Sequence, residues 1–195
     1  MNWKLIICFA LIGYGAYQHF SNRPIIHGAG VLASQPPMQE RTDGAEFKFD
    51  DYNIHPLQNF NIKARVLSTK HYTFGREADL APVDLALGWG VMSDDSVLKD
   101  IQISQSNRFY YWRVDAFPVP RELIETSSAN MHMIPADSQI EKTLKSIKAG
   151  QLVTINGYLV EAKSADGWRW KSSLTRNDTG NGACELVYVK AISVT

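Results

Sequence analysis

Ser138 to Ala162, SQIEKTLKSIKAGQLVTINGYLVEA, holds the clearest helix of this 195-residue chain and, directly after it, one of its strongest strands. Ser138 and Glu141 have capping-box spacing, in which each side chain satisfies a backbone N–H that the first helical turn leaves open. Ile140, Leu144 and Ile147 recur at helical spacing and form one apolar face, and Gly150 ends the helix. Leu152 to Ala162 then begins a run of three strand candidates, continued by Trp168 to Leu174 and Leu186 to Ile192. Asp166-Gly167 marks a tight turn between the first two, and Asn177 to Gly182 is a longer polar loop between the last two.

Working back toward the N-terminus, Phe60 to Leu67 alternates apolar and polar residues, the mark of a half-buried strand. Pro82 to Leu87 is predicted as a short helical turn with proline at its start, broken by Gly88-Trp89-Gly90. Ser93-Asp94-Asp95 offers caps for a second short helix ending near Lys99. Ile101 to Ser104 and Phe109 to Val114 read as strands, with Gln105 to Arg108 between them as a turn or a strand edge. Ala129 to Ile134 is another strand, stopped by Pro135. The fold class is therefore α+β, mostly antiparallel β. One solid helix ahead of the last strands suits an OB-like five-stranded barrel with a helical insertion.

The first residues are of another kind. Leu5 to Phe20, LIICFALIGYGAYQHF, carries no charge apart from His19. Extended back to Trp3 it approaches the length needed to cross a hydrocarbon core of ~30 Å. Trp3, Tyr14, Tyr17 and Phe20 set rings toward its two ends, where interfacial rings are favoured. Residues 3–20 are read as a transmembrane signal-anchor helix, 21–44 as a linker rich in proline and glycine, and 45–195 as the soluble domain. Lys4 and the free N-terminus, against Arg23, orient that domain to the periplasm, with the helix a single pass of the inner membrane. A cleaved signal peptide is the alternative, although Tyr14-Gly15-Ala16 is a poor cleavage site.

Composition excludes some functions. Twenty Lys and Arg balance twenty Asp and Glu, so no bulk charge calls for nucleic acid, and none is expected as a partner. The expected partners are the membrane, through the N-terminal helix, and an envelope protein. Cys8 and Cys184 lie far apart in the chain, one in the apolar stretch and one near the end, and are not expected to pair. Gly28-Ala29-Gly30 lacks the strand and helix a dinucleotide loop requires. No cofactor is expected, and no metal either, since neither paired histidines at ligand spacing nor C-x-x-C occurs.

Three segments carry candidate chemistry. Asp79 to Asp95 gathers Asp79, Asp84, Asp94 and Asp95 around Trp89. The alternating ligand spacing of a calcium loop is missing, so capping by Asp94 and packing of Trp89 is the plainer reading. Gln105 to Arg113 (QSNRFYYWR) and Gly167 to Lys171 (GWRWK) interleave rings with arginine. Arg108, Tyr110, Trp112, Trp168 and Arg169 are the binding candidates, set against the alternative of core on one face and solvated charge on the other. His132 is the histidine best placed for proton chemistry, with Ser173 and Cys184 as nucleophile candidates on neighbouring strands. The leading expectation is a membrane-anchored, non-cytoplasmic binding or assembly module. The alternative is an envelope enzyme of hydrolase or transferase type centred on His132.

The segments PVDLALGWGVMSD (82–94), ISQSNRFYYWR (103–113), SANMHMIPAD (128–137) and GWRWKSSLTRNDTG (167–180) resemble those of a widespread bacterial family. Its members have an N-terminal hydrophobic helix followed by one domain. The resemblance covers most of residues 25–192 and implies a bacterial, membrane-anchored protein; it transfers no catalytic or binding residue.

Overall fold

The computed structural model describes residues 3–21, 23–175 and 184–195. The chain opens with α1 (Trp3–Ser21), then β1 (Met38–Arg41), β2 (Phe47–Phe49), β3 (Tyr52–His71), α2 (Arg76–Leu80) and β4 (Val83–Gly88). A 3-10 turn (Gly90–Ser93) leads to α3 (Asp95–Leu98), β5 (Ile101–Ser106), β6 (Phe109–Val114), α4 (Arg121–Thr126) and β7 (Ser128–Pro135). The chain ends with α5 (Ser138–Ser146), β8 (Leu152–Ser164), β9 (Arg169–Lys171) and β10 (Glu185–Val194).

Most pairings are antiparallel, and one set closes a ring. β3 pairs β4, β4 pairs β7, β7 runs parallel to β10, β10 pairs β8, and β8 returns to β3. Numbered along the chain, the ring strands follow the order 1-2-3-5-4, with α5 between the third and fourth. The hairpin β5–β6 is inserted between the second and third. β3 is long enough to bend around the ring because bulges interrupt its register at Pro56/Gln58 against β8 and at Val66/Ser68 against β4. Pro56 sits at such a bulge, a place where its missing N–H costs no ladder bond.

Alternation fills the ring. Phe60, Leu85, Met131, Ile155 and Val187 belong to one buried cluster, and Ile140 and Leu144 of α5 join it. Each such side chain, fully buried, stabilises the fold by about 1.5–3 kcal/mol. A second cluster, ringed by Phe47, Tyr52, Tyr158, Trp168 and Trp170, covers part of the outer side of the ring.

Several expectations are corrected. Pro82 to Leu87 is a strand rather than a helical turn. Every residue of β4 is buried, so both faces are covered and no polar alternation remains to mark it. The cap of α5 is Asp137, whose carboxylate accepts from the Ile140 N–H at 2.8 Å. Glu141 instead pairs with Lys145 one turn on. The expected transmembrane helix is not found: among the described residues no helix is long and apolar enough to cross a membrane. α1 is strongly apolar only over Leu5 to Ile12; Gly13, Gly15, Gln18 and His19 make its second half less apolar in sequence.

Residues 25–33, within the stretch read as linker, are fastened to the domain, and β1 pairs with β3. The Asp95 carboxylate accepts from the N–H groups of His27 (2.6 Å) and Gly28 (2.8 Å), and Asp94 accepts from Gly30 (3.0 Å). Ser93 Oγ accepts from both Leu32 and Ala33 at 3.1 Å. Arg65 completes the clasp, pairing with Asp95 and donating to the Ile25 carbonyl at 3.1 Å.

Candidate functional site

The register that places β4 beside β7 sets Asp84 directly opposite His132. Because Leu85 and Met131 point into the ring, these two polar residues point outward. They are nevertheless buried, with Asp84 0% and His132 3% exposed, since the β5–β6 hairpin and Trp170 lie over them. Asp84 Oδ1 lies 2.9 Å from His132 Nδ1, an ion-pair distance that is off the line of a hydrogen bond. Arg108 Nη1 donates to the same oxygen at 2.6 Å and to the Ala81 carbonyl at 2.9 Å.

Arg108 reaches this position through a strained turn. Asn107 and Arg108 have φ of 51° and 68°, the left-handed pair of a two-residue hairpin turn, where the second place usually falls to glycine. Holding arginine there costs of order 1–3 kcal/mol. Three backbone contacts secure it. The Arg108 N–H donates to Tyr72 Oη (2.9 Å), and its carbonyl accepts from Asn130 Nδ2 (2.9 Å) and the Cys184 thiol (3.7 Å). Its guanidinium lies 3.7 Å from the Tyr72 ring centre and 5.6 Å from that of Trp170. Glu77 approaches Nε at 3.7 Å, and Nη2 has no partner among the described residues.

Charge in this cluster is balanced by contact. Burial is the strongest single influence on the His132 imidazole and disfavours its charge; Asp84 and Cys184 outweigh it and hold the value up at about 9. Trp170 packs against the imidazole with ring centres 4.8 Å apart. Above the cluster opens a cleft of about 440 Å³ lined by Tyr72, Phe74, Arg76, Glu77, Arg108 and Trp168. That volume falls within the range of small-ligand sites, roughly 300–1,000 Å³.

The binding candidates separate. Arg108 and Trp168 line this one cleft. Tyr110 and Trp112 pack beneath the hairpin: the Tyr110 hydroxyl donates to Ser128 Oγ at 3.3 Å, and Trp112 joins the cluster around Met92 and Ile124. Burial pushes the Tyr110 hydroxyl up to about 12. Arg169 alternates with Trp170 along β9 and pairs with Glu161 instead. Among the nucleophile candidates, the Cys184 thiol donates to the Arg108 carbonyl and helps raise the His132 imidazole, whereas the Ser173 hydroxyl engages the Thr175 backbone. The four aspartates do not converge: Asp79 is exposed on α2. Asp84 lies in the buried cluster, Asp94 caps α3, and Asp95 holds Arg65. Among the described residues no group of His, Cys, Asp or Glu is arranged to hold a metal ion.

Residues 72–77 belong to the site and carry no motif. Only the exposed aromatic Phe74 beside Gly75, a ring next to a turn residue, hints at them in the sequence. Fold and site together define a small α+β protein whose mostly antiparallel strands form a ring-like sheet, with a cleft lined by aromatic and charged side chains on its outer side. The chain matches no family model, no curated protein and no solved structure.

Proposed function

We propose that this protein is a binding module of the OB type, held at a membrane surface by α1. The observation that carries the reading is Arg108, held in a strained turn by buried Asp84 and lining the cleft. Strain of this kind concentrates at functional sites because the surrounding structure must stabilise it. The strand order, and the helix between the third and fourth ring strands, support an OB-type barrel. Barrels of that type take ligands on the face of strands two and three, here β4 and β7; in this chain the β5–β6 hairpin covers that face, and the cleft opens beside it, lined by residues 72–77, Arg108 and Trp168. Trp3, Leu5, Phe9, Leu11 and Ile12 are all exposed on α1, which supports attachment of that helix to an apolar phase. The bacterial family whose segments the chain resembles has the same layout.

A photo-reactive benzoylphenylalanine in place of Phe74 tests the cleft in living bacteria, with the same substitution at exposed Phe117 as the control. A discrete adduct at position 74 and none at 117 is the expected result. Equal labelling at the two positions would end the reading.

One observation favours an enzyme instead: His132 stands between the carboxylate of Asp84 and the thiol of Cys184, the parts of a nucleophile, base and orienting acid. Iodoacetamide alkylation of Cys184 that slows markedly in a folded His132→Gln variant would support it. Equal rates would remove it.

A further inference from the structure

The cleft carries enough chemistry to name its ligand class. OB-type faces take chiefly oligonucleotides or oligosaccharides, and the two ask for different linings. A nucleic acid needs uncompensated Lys or Arg, because affinity comes from neutralised phosphates and released counterions. Here neither arginine is uncompensated. Arg76 pairs with Asp166, and Arg108 pairs with Asp84, with Glu77 3.7 Å away. With protonated His132 beside Asp84, the positive and negative groups of the cluster balance, so a phosphate entering the cleft meets no net positive charge.

We propose that the cleft between Phe74 and Trp168 binds an uncharged oligosaccharide. This rests on the reading of the cleft as a binding site. A pyranose ring has an apolar C–H face and a rim of hydroxyls that both donate and accept. Phe74, 93% exposed at the cleft edge beside Gly75 (φ 90°), supplies the flat apolar surface; Trp168 lines the same cleft, with the Arg76 guanidinium 5.4 Å from its ring centre. The carboxylate of Glu77 and the guanidinium of Arg108, 3.7 Å apart and both lining the cleft, supply an acceptor and a donor side by side. Tyr72 is already covered on one face by the Arg108 guanidinium, so it serves to hold the arginine rather than the sugar.

The test uses the full chain in a detergent without a sugar headgroup, titrated with an N-acetylglucosamine hexamer and separately with oligothymidylate, following tryptophan emission. The hexamer should saturate at millimolar or lower concentration. Phe74→Ala should weaken it about tenfold, the order of one lost stacking contact, while Phe117→Ala leaves it unchanged. Phe74 is exposed enough that its removal spares the fold. No saturation by the hexamer, or hexamer binding indifferent to Phe74→Ala, overturns the proposal. Saturation by oligothymidylate alone overturns the saccharide and leaves the cleft standing, as does a photo-adduct at position 74 without hexamer binding. Loss of both the adduct and hexamer binding removes the two readings together.

Discussion

Raising the pH toward 9 removes the proton that folded His132 holds, and the domain should lose stability as it goes. The imidazole is lifted from its ordinary 6.5 to about 9, with burial opposing the charge and Asp84 and Cys184 outweighing it. In the unfolded chain the group returns to its ordinary value. Between these two values the native state therefore holds close to one extra proton. The contribution is fully present below 6.5 and falls by about 1.4 kcal/mol per pH unit as the pH rises, ending above about 9. The whole change is about 3 kcal/mol, a large share of the ~5–15 kcal/mol that holds a domain folded. His71 acts outside this window: burial, then Lys145, lowers its value, so its effect falls on the acid side. Urea unfolding of the full chain at several pH values, read by tryptophan emission, measures the slope. His132→Gln gives the baseline. Asp84→Asn keeps the shape but leaves Arg108 and His132 buried without their counter-charge, and should cost about 3–5 kcal/mol at neutral pH while abolishing the slope. A flat wild-type profile, or an equal fall in His132→Gln, would refute the ion pair as the source.

Other perturbations probe the clasp and the ring. Gly150 has φ of 91°, and a Cβ there would meet the Ile25 carbonyl oxygen at 2.1 Å. Gly150→Ala should therefore unseat residues 25–33 while the ring stays folded, seen as faster proteinase K cleavage in that stretch. Ser93→Ala leaves the N–H groups of Leu32 and Ala33 without their acceptor and should cost about 1–3 kcal/mol. Faster amide exchange at those two residues would confirm it. Phe60→Ala opens a cavity in the fully buried ring core, and urea unfolding should show a loss of about 3–5 kcal/mol.

Local patterns in the sequence announced much of the fold. Phe109 to Val114 alternates as read: Tyr111 and Arg113 are exposed, while Tyr110, Trp112 and Val114 turn inward. Asp94 caps α3, and the first and last of the three closing strands lie where their apolar runs place them, while the middle one, expected over Trp168 to Leu174, is strand only over Arg169–Lys171. β4 was hidden because alternation reports a strand only when one face is wet, and its outward face is covered by the inserted hairpin. Proline at its start then pointed to a helix. The site was hidden for a related reason. Asp84 and His132 are 48 positions apart in sequence and meet only through strand register, and Arg108 reaches them from a third element. No spacing rule encodes such a meeting. The single aspartate in Val83 to Gly88 was the available signal, since a charge in an otherwise apolar strand needs a partner.

The clasp around residues 25–33 also shortens the protein's leash. α1 ends at Ser21, and the Ile25 N–H is already bonded to the Ala149 carbonyl at 3.0 Å. Four residue steps span about 14 Å even when fully extended. Whatever grips α1 therefore grips the barrel with little slack. The ring and its cleft stay within a few residues' reach of α1.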